Sequence, residues 1–254
     1  MGHVLAFTMQ KGGVGKTTTT LNLGVILAQR GAQVLLIDID PQANLTRGLG
    51  IDPGNVEYSI YEVLLNTDQG IEFATLTTAY GAKLIPSTKA LAGAVDVLGP
   101  KMGREFFLKK ALKASRNQYD YILIDSPPNL GLLTANALVA ADAAIVPVQA
   151  HAYALQALPE LEETITLVRE ANPGIEIGGV ICTFVDRRTK LTQTVEHQLR
   201  ENYGDLVFET VIPLNTKLAE APAFGEPISV YSPSSIGAVA YTALSKEMEQ
   251  RYAR

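Results

Sequence analysis

Short, nearly unbroken apolar runs alternate along this chain with longer stretches whose apolar positions recur every three or four residues. The first pattern suits strands covered on both faces, and the second suits helices with one buried side. Strands are predicted at residues 4–9, 33–39, 83–86, 120–125, 143–148, 177–185 and 207–212. Val34-Leu35-Leu36-Ile37 and Ala143-Ala144-Ile145-Val146 have no polar face at all, so both sides of the sheet need cover. Helices between strands make βαβ crossovers. The predicted architecture is therefore an α/β fold, a doubly wound, mostly parallel sheet with helices on both faces. No linker, repeat or low-complexity segment interrupts the alternation, and 254 residues suit one large core, so residues 1–254 read as a single domain.

Chemistry concentrates first at Thr8 to Leu21, TMQKGGVGKTTTTL. It follows the strand run Val4-Leu5-Ala6-Phe7 and opens a helical pattern that ends near Gly31. Gly12, Gly13 and Gly15 let backbone amides turn onto an anion, and the helix N-terminus adds positive potential. Lys16 can reach outer phosphates and Thr17 can ligate Mg²⁺. The match to G-x-x-x-x-G-K-[ST] is incomplete, because Gln10 stands where the first Gly belongs. Lys11 supplies a second lysine directly before Gly12.

Two more strand ends carry carboxylates. In Leu35-Leu36-Ile37-Asp38-Ile39-Asp40-Pro41, a carboxylate at the C-terminal end of a parallel strand points into the crevice where ligands bind. Asp40 could orient or deprotonate a water for attack on a γ-phosphate. Asp38 holds either the Mg²⁺ shell or the P-loop lysine, unless one of the pair only caps the turn at Pro41. Tyr121-Ile122-Leu123-Ile124-Asp125 has the Walker B form, a strand that delivers Asp125 to the Mg²⁺ water shell.

KGGVGKTT, DIDPQAN and the SPP after Asp125 together resemble the ParA/MinD family of deviant Walker A ATPases, in its ParA/Soj-type partition branch. The resemblance covers essentially the whole chain. It implies ATP or ADP with Mg²⁺, held by Gly12, Gly13, Val14, Gly15, Lys16, Thr17 and Thr18, with Asp38 and Asp125 acting on the metal through water. It implies an ATP-dependent homodimer in which Lys11 reaches the partner's phosphates, and catalysis by Lys11, Lys16 and Asp40. Pro213 and Asn215, in Val211-Ile212-Pro213-Leu214-Asn215, would line the adenine pocket. Leu214 departs from the family's phrase, which has Arg there. Lys217 falls on a basic family position. The implied cycle is weak ATP hydrolysis stimulated by a ParB/Spo0J-like activator, with nonspecific DNA bound by the ATP dimer. The cargo would be a chromosome or plasmid. The alternatives are a nucleoid-tracking ATPase that positions a protein cargo, or a MinD-like membrane-associated one.

Net charge of −5 confines any DNA contact to a local patch. Arg187, Arg188 and Lys190 form one such cluster, at a predicted helix start with Asp186 as its N-cap. Arg187, Arg188, Lys190 and Lys217 are the DNA candidates. A second cluster, on a predicted helix from Lys101 to Arg116, reads either as DNA-facing or as a solvated face. The Ser232 to Gly237 turn has no cation where many chromosomal relatives carry arginines. The end from Leu244 to Arg254 mixes charges without an apolar face, so stable membrane association is not expected. With the P-loop at the very N-terminus, specific DNA recognition of the kind that relatives with an added N-terminal helix-turn-helix show is not expected, nor is autorepressor activity. A cytoplasmic, nucleoid-associated location is expected. One cysteine, Cys182, excludes an internal disulfide or an iron–sulfur carrier and reads as core.

Overall fold

Six of the seven apolar runs become strands, because their apolar residues find cover on one face of the sheet or the other. The computed structural model describes residues 2–151 and 154–253. Seven strands form one sheet: β1 (His3–Phe7), β2 (Val34–Asp38), β3 (Leu76–Thr77), β4 (Lys83–Ile85), β5 (Tyr121–Asp125), β6 (Ala143–Gln149) and β7 (Glu176–Thr183). Their order is β3-β4-β2-β5-β1-β6-β7, and all pairs are parallel except β3 with β4.

Alternation splits the core in two. Val4 and Ala6 of β1 join Leu35, Ile37, Ile122 and Ile124 on one face. Leu5 and Phe7 join Leu36, Leu123 and Ile145 on the other. The first face is covered by helices that include Leu132–Ala140, Ala154–Val168 and Lys190–Tyr203. The second is covered by Lys16–Gln29 and Ile236–Arg251, whose Tyr241, Leu244 and Met248 are fully buried. Ser235 caps the latter helix by accepting from the Ala238 amide. Arg254 lies outside the described residues.

Three expectations are corrected. Residues 207–212 do not form a strand; they meet β7 only at their ends, where Val207 pairs with Val180 and the Ile212 amide donates to the Cys182 carbonyl at 2.8 Å, and the chain then passes Val185 at Pro213. Phe208 packs directly over Gly179 and carries the Arg251 guanidinium on its ring, 4.0 Å from the centroid, so its side chain is held by packing where a continuous ladder would need the backbone. The helix expected from Lys101 to Arg116 shrinks to Phe107–Leu112, between 3₁₀ turns at Arg104–Phe106 and Arg116–Gln118. Gly103 is left-handed (φ 65°), which stops the helix from extending toward Lys101. The third is the helix after Val185, which starts at Lys190 with Thr189, not Asp186, as its N-cap. Asp186 instead closes the preceding turn, accepting from the Arg188 amide at 3.0 Å. Cys182 is buried as expected, and its burial pushes the thiol up to about 12.

The helix Lys16–Gln29 lies so close to the sheet that Gly24 has no room for a side chain. A Cβ there would stand 2.4 Å from Leu36 Cδ2 and 3.3 Å from Leu123 Cδ1. Gly24→Val is expected to cost about 1–3 kcal/mol by overpacking, read as a lower urea midpoint. An unchanged midpoint would mean that Leu36 swings aside freely.

Candidate active site

The sequence between β1 and its helix folds into a loop only glycine can trace at two points. Gly13 and Gly15 have φ of 74° and 92°, in the left-handed region that side chains disfavour. The turn places the loop over the N-terminus of Lys16–Gln29, where the first amides of the helix face outward. A second contact fixes it: the Thr183 hydroxyl, at the end of β7, donates to the Val14 carbonyl at 2.8 Å.

Lys16 is nearly buried, and its ammonium donates to the Met9 and Lys11 carbonyls at 3.0 and 3.2 Å. A lysine has three donors, so one remains for an anion in the loop. Burial lowers its pKa, opposed by the Asp125 and Asp40 carboxylates. The Lys11 side chain is exposed and does not line its own chain's cleft.

Asp38 and Asp125 are register partners at the ends of β2 and β5, side by side and fully buried. The two have been handled differently. Asp38 accepts from the Asp40 amide (3.2 Å), the Thr46 amide (2.9 Å) and the Thr46 hydroxyl (2.7 Å). Burial still pushes its carboxyl up to about 7, against those three donors. Neither Asp125 oxygen has a hydrogen-bond partner. Burial, then the neighbouring Asp38, hold it well above the usual carboxylate range, although Thr17 and Lys16 lie close enough to draw it part of the way back. A buried carboxylate so weakly compensated is the environment a cation would complete. Among the described residues no three His, Cys, Asp or Glu side chains converge into a metal cage. Mg²⁺ does not need one, since it keeps waters and takes phosphate oxygens.

Asp40 lies just past β2 with its Oδ1 accepting from the Gln42 amide at 2.9 Å, and Ser87 donates to its carbonyl at 2.7 Å. It lines a cleft of about 610 Å³ together with Gly12, Gly13, Gly15, Lys16 and Thr17. A second, mainly apolar pocket of about 270 Å³ adjoins it, lined by Pro213, Asn215 and Tyr241 among others. The Asn215 Oδ1 is used as a cap, accepting from the Lys217 amide, so its amide nitrogen is the end left to contact a ligand.

The structure therefore brings Lys16, Thr17, Asp38, Asp40 and Asp125 to one place and sets Pro213 and Asn215 beside it. The four basic candidates line neither pocket, although Lys217 is next to Asn215, and two of them are engaged. Arg188 forms a two-pronged pair with Asp186, whose carboxyl falls to about 2 through that partner. Lys217 pairs with Glu220 at 2.8 Å. Arg187 and Lys190 are exposed, with no ion pair among the described residues. Sequence reading missed Thr183, Phe184 and Arg47, all on or beside the cleft. The rule that ligands bind at strand C-termini, applied to β7 as it was to β2 and β5, would have found the first two.

A family described as an AAA domain matches residues 2–177. The sporulation initiation inhibitor protein Soj of Bacillus subtilis is 48% identical over 249 residues, covering 98% of each chain. The chain belongs to the ParA/Soj family of partition ATPases. The chromosome partitioning protein ParA of Caulobacter vibrioides is 44% identical, covering 98% of this chain and 94% of its own. A Mycobacterium smegmatis structure named cobyrinic acid a,c-diamide synthase, with bound ATP analog and magnesium, superposes with a TM-score of 0.86 at 35% identity, covering 99% and 96%. ParA/Soj membership agrees with the expected motifs and their order.

A carboxyl whose folded pKa lies above its unfolded value binds its proton more tightly when folded. Stability is then greatest below the unfolded pKa and falls as pH rises toward the folded one. For Asp38 that window runs from 3.8 to about 7, and Asp125 shifts in the same direction. Asp125→Asn removes one charge and relieves its partner. Without metal or nucleotide, the variant should be the more stable by about 1–3 kcal/mol at pH 8, with a smaller gap at pH 5. Thermal unfolding in EDTA across this range checks it, and a gap that is flat or shrinks with pH contradicts the burial argument.

Proposed function

We propose that this chain is an ATP-dependent switch of chromosome or plasmid partition. The observation that carries the reading is Asp125, a fully buried carboxylate with only Thr17 and Lys16 close by to offset its charge, beside a glycine-turned phosphate cradle. Its support in the comparisons is the partition proteins among its full-length relatives and the nucleotide-bound structural neighbour.

In this reading the loop Gly12, Gly13, Val14 and Gly15, with Thr18, holds the phosphates of ATP or ADP on backbone amides. Lys16 adds the one ammonium donor its carbonyl contacts leave over. Thr17 and Asp125 would hold Mg²⁺, and Asp38 acts from behind, fixed by Thr46. A magnesium ion there supplies charge that offsets what develops on the terminal phosphate. Asp40, oriented by the Gln42 amide, positions a water for in-line attack and accepts its proton. The apolar pocket beside the cleft takes the base against Pro213, with the Asn215 amide at its edge.

Lys11 is exposed on its own chain, and in this reading it would enter the site of a second copy, making the closed state a homodimer around two nucleotides. Nonspecific DNA would bind this dimer through Arg187, Arg188, Lys190 and Lys217. A ParB/Spo0J-like activator would trigger hydrolysis and release. Among the described residues no helix is long and apolar enough to cross a membrane.

The deciding experiment measures DNA retention with ADP, with ATP, and with ATP on Asp40→Ala, across a salt series. Retention is expected only with ATP, to be prolonged in Asp40→Ala, and to vanish in Lys16→Ala along with dimerisation. Equal retention in ADP and ATP would sink the switch, and parent-like hydrolysis by Asp40→Ala would remove it from catalysis. Among the cations, Arg187→Glu and Lys190→Glu should each weaken retention about tenfold. Arg188→Glu should weaken it less, because Asp186 already engages that charge. The reverse ranking would mean that the Asp186 pair opens on DNA.

A further inference from the structure

The 610 Å³ cleft and the 270 Å³ apolar pocket share just three lining residues, Gly15, Thr18 and Phe184. Any ligand that spans both must pass this junction. Two of the three offer little surface, a glycine and a short hydroxyl side chain. The third is an aromatic ring, 36% exposed in a chain whose other phenylalanines mostly pack inward.

Phe184 is also held in a backbone conformation that such a residue rarely adopts. Its φ is 54°, in the left-handed region, where a bulky L-residue is a genuine outlier. Its neighbours on both sides are held by hydrogen bonds. Before it, Thr183 is committed to the Val14 carbonyl and, through its own carbonyl, to the Ala150 amide. After it, the Val185 amide donates to the Ile212 carbonyl, and the Val185 carbonyl accepts from Leu214. The chain must turn between two fixed points, and the left-handed turn aims the ring at the P-loop. A Cβ on Gly15 would lie 3.5 Å from the Phe184 ring. Strain of this kind persists only where the surroundings impose it, and it concentrates at ligand sites.

We infer that Phe184 is the aromatic platform of the site, the surface on which the base or ribose of the bound nucleotide rests as it passes from the phosphate cradle to the apolar pocket. The inference deepens the nucleotide reading above and rests on it. An aromatic face stacks on any base, so the residue contributes affinity without choosing between purines. Choice of base is left to groups at the far end of the pocket, where Asn215 stands. The same ring separates the two cavities and closes one side of the phosphate loop against water.

Calorimetric titration of the whole protein tests this, with Mg·ATP, Mg·ADP, Mg·GTP and magnesium tripolyphosphate as probes on the parent, Phe184→Ala, Phe184→Gly and Phe184→Tyr. Removing the ring should weaken ATP, ADP and GTP by a common factor of about ten and leave tripolyphosphate unchanged, while Phe184→Tyr binds as the parent does. Phe184→Gly should unfold at a higher temperature than Phe184→Ala, because glycine adopts the turn without strain. That pairing separates loss of the ring from loss of the fold. Parent-like nucleotide affinity in both ring-less variants overturns the platform. So does an equal loss for tripolyphosphate, which would mean that the ring only braces the loop. A parent that binds none of the nucleotides overturns the nucleotide reading itself, and the platform with it.

Discussion

Two carboxylates placed side by side inside a sheet are the constraint around which the rest of this site is built. Parallel pairing puts Asp38 opposite Asp125 in adjacent strands, with no water to screen either. The protein resolves half of the conflict. Thr46 gives Asp38 both its amide and its hydroxyl, and the Ser87 amide in turn donates to that hydroxyl. Ser87 also holds the Asp40 carbonyl, so the network that stabilises Asp38 is the one that sets the Asp40 loop. Asp125 receives nothing comparable. The site accepts instability at one atom group and uses the surrounding hydrogen bonds to keep the geometry fixed, a violation of local consistency that marks functional positions.

Lys16 is the counterpart of that arrangement. Its hydrogen bonds to the Met9 and Lys11 carbonyls stretch the side chain back across its own loop. The ammonium is thereby oriented before any ligand arrives, and little side-chain entropy remains to be lost on binding. Preorganised charge of this kind is what an electrostatic catalyst requires.

Much of this was legible in the sequence because the relevant signals are local. Glycines at a strand–helix junction and carboxylates at strand ends need only their neighbours to be interpreted, and the apolar runs located six of the seven strands. What failed depended on distant partners. β3 has two residues and exists only because β4 offers an edge, which no period-two run announces. Residues 207–212 carry strand-like apolar residues, yet Phe208 is claimed by Gly179 and Arg251 from elsewhere in the chain. The basic stretch ending at Arg116 looks like one cationic helix face. In the fold Arg116 turns away to the Gly2 carbonyl and Asp142, contacts separated from it by many residues. The left-handed Phe184 was hidden for the same reason, since the residues that fix its neighbours are just after β6, in the P-loop and on either side of Pro213.

The tie between Thr183 and Val14 has a consequence for how far apart the two proposed activities stand. Thr183 holds the phosphate loop, and Arg188 sits in the basic cluster five residues later in the same chain. Even fully extended, five residues reach no more than about 18 Å, and this stretch turns twice within that distance, at Phe184 and at Asp186. Nucleotide and DNA would thus be handled from opposite ends of one short covalent tether. A displacement of the loop has a backbone route to the cations that crosses no packed interface, and a deletion or insertion between Thr183 and Lys190 would disconnect both activities at once.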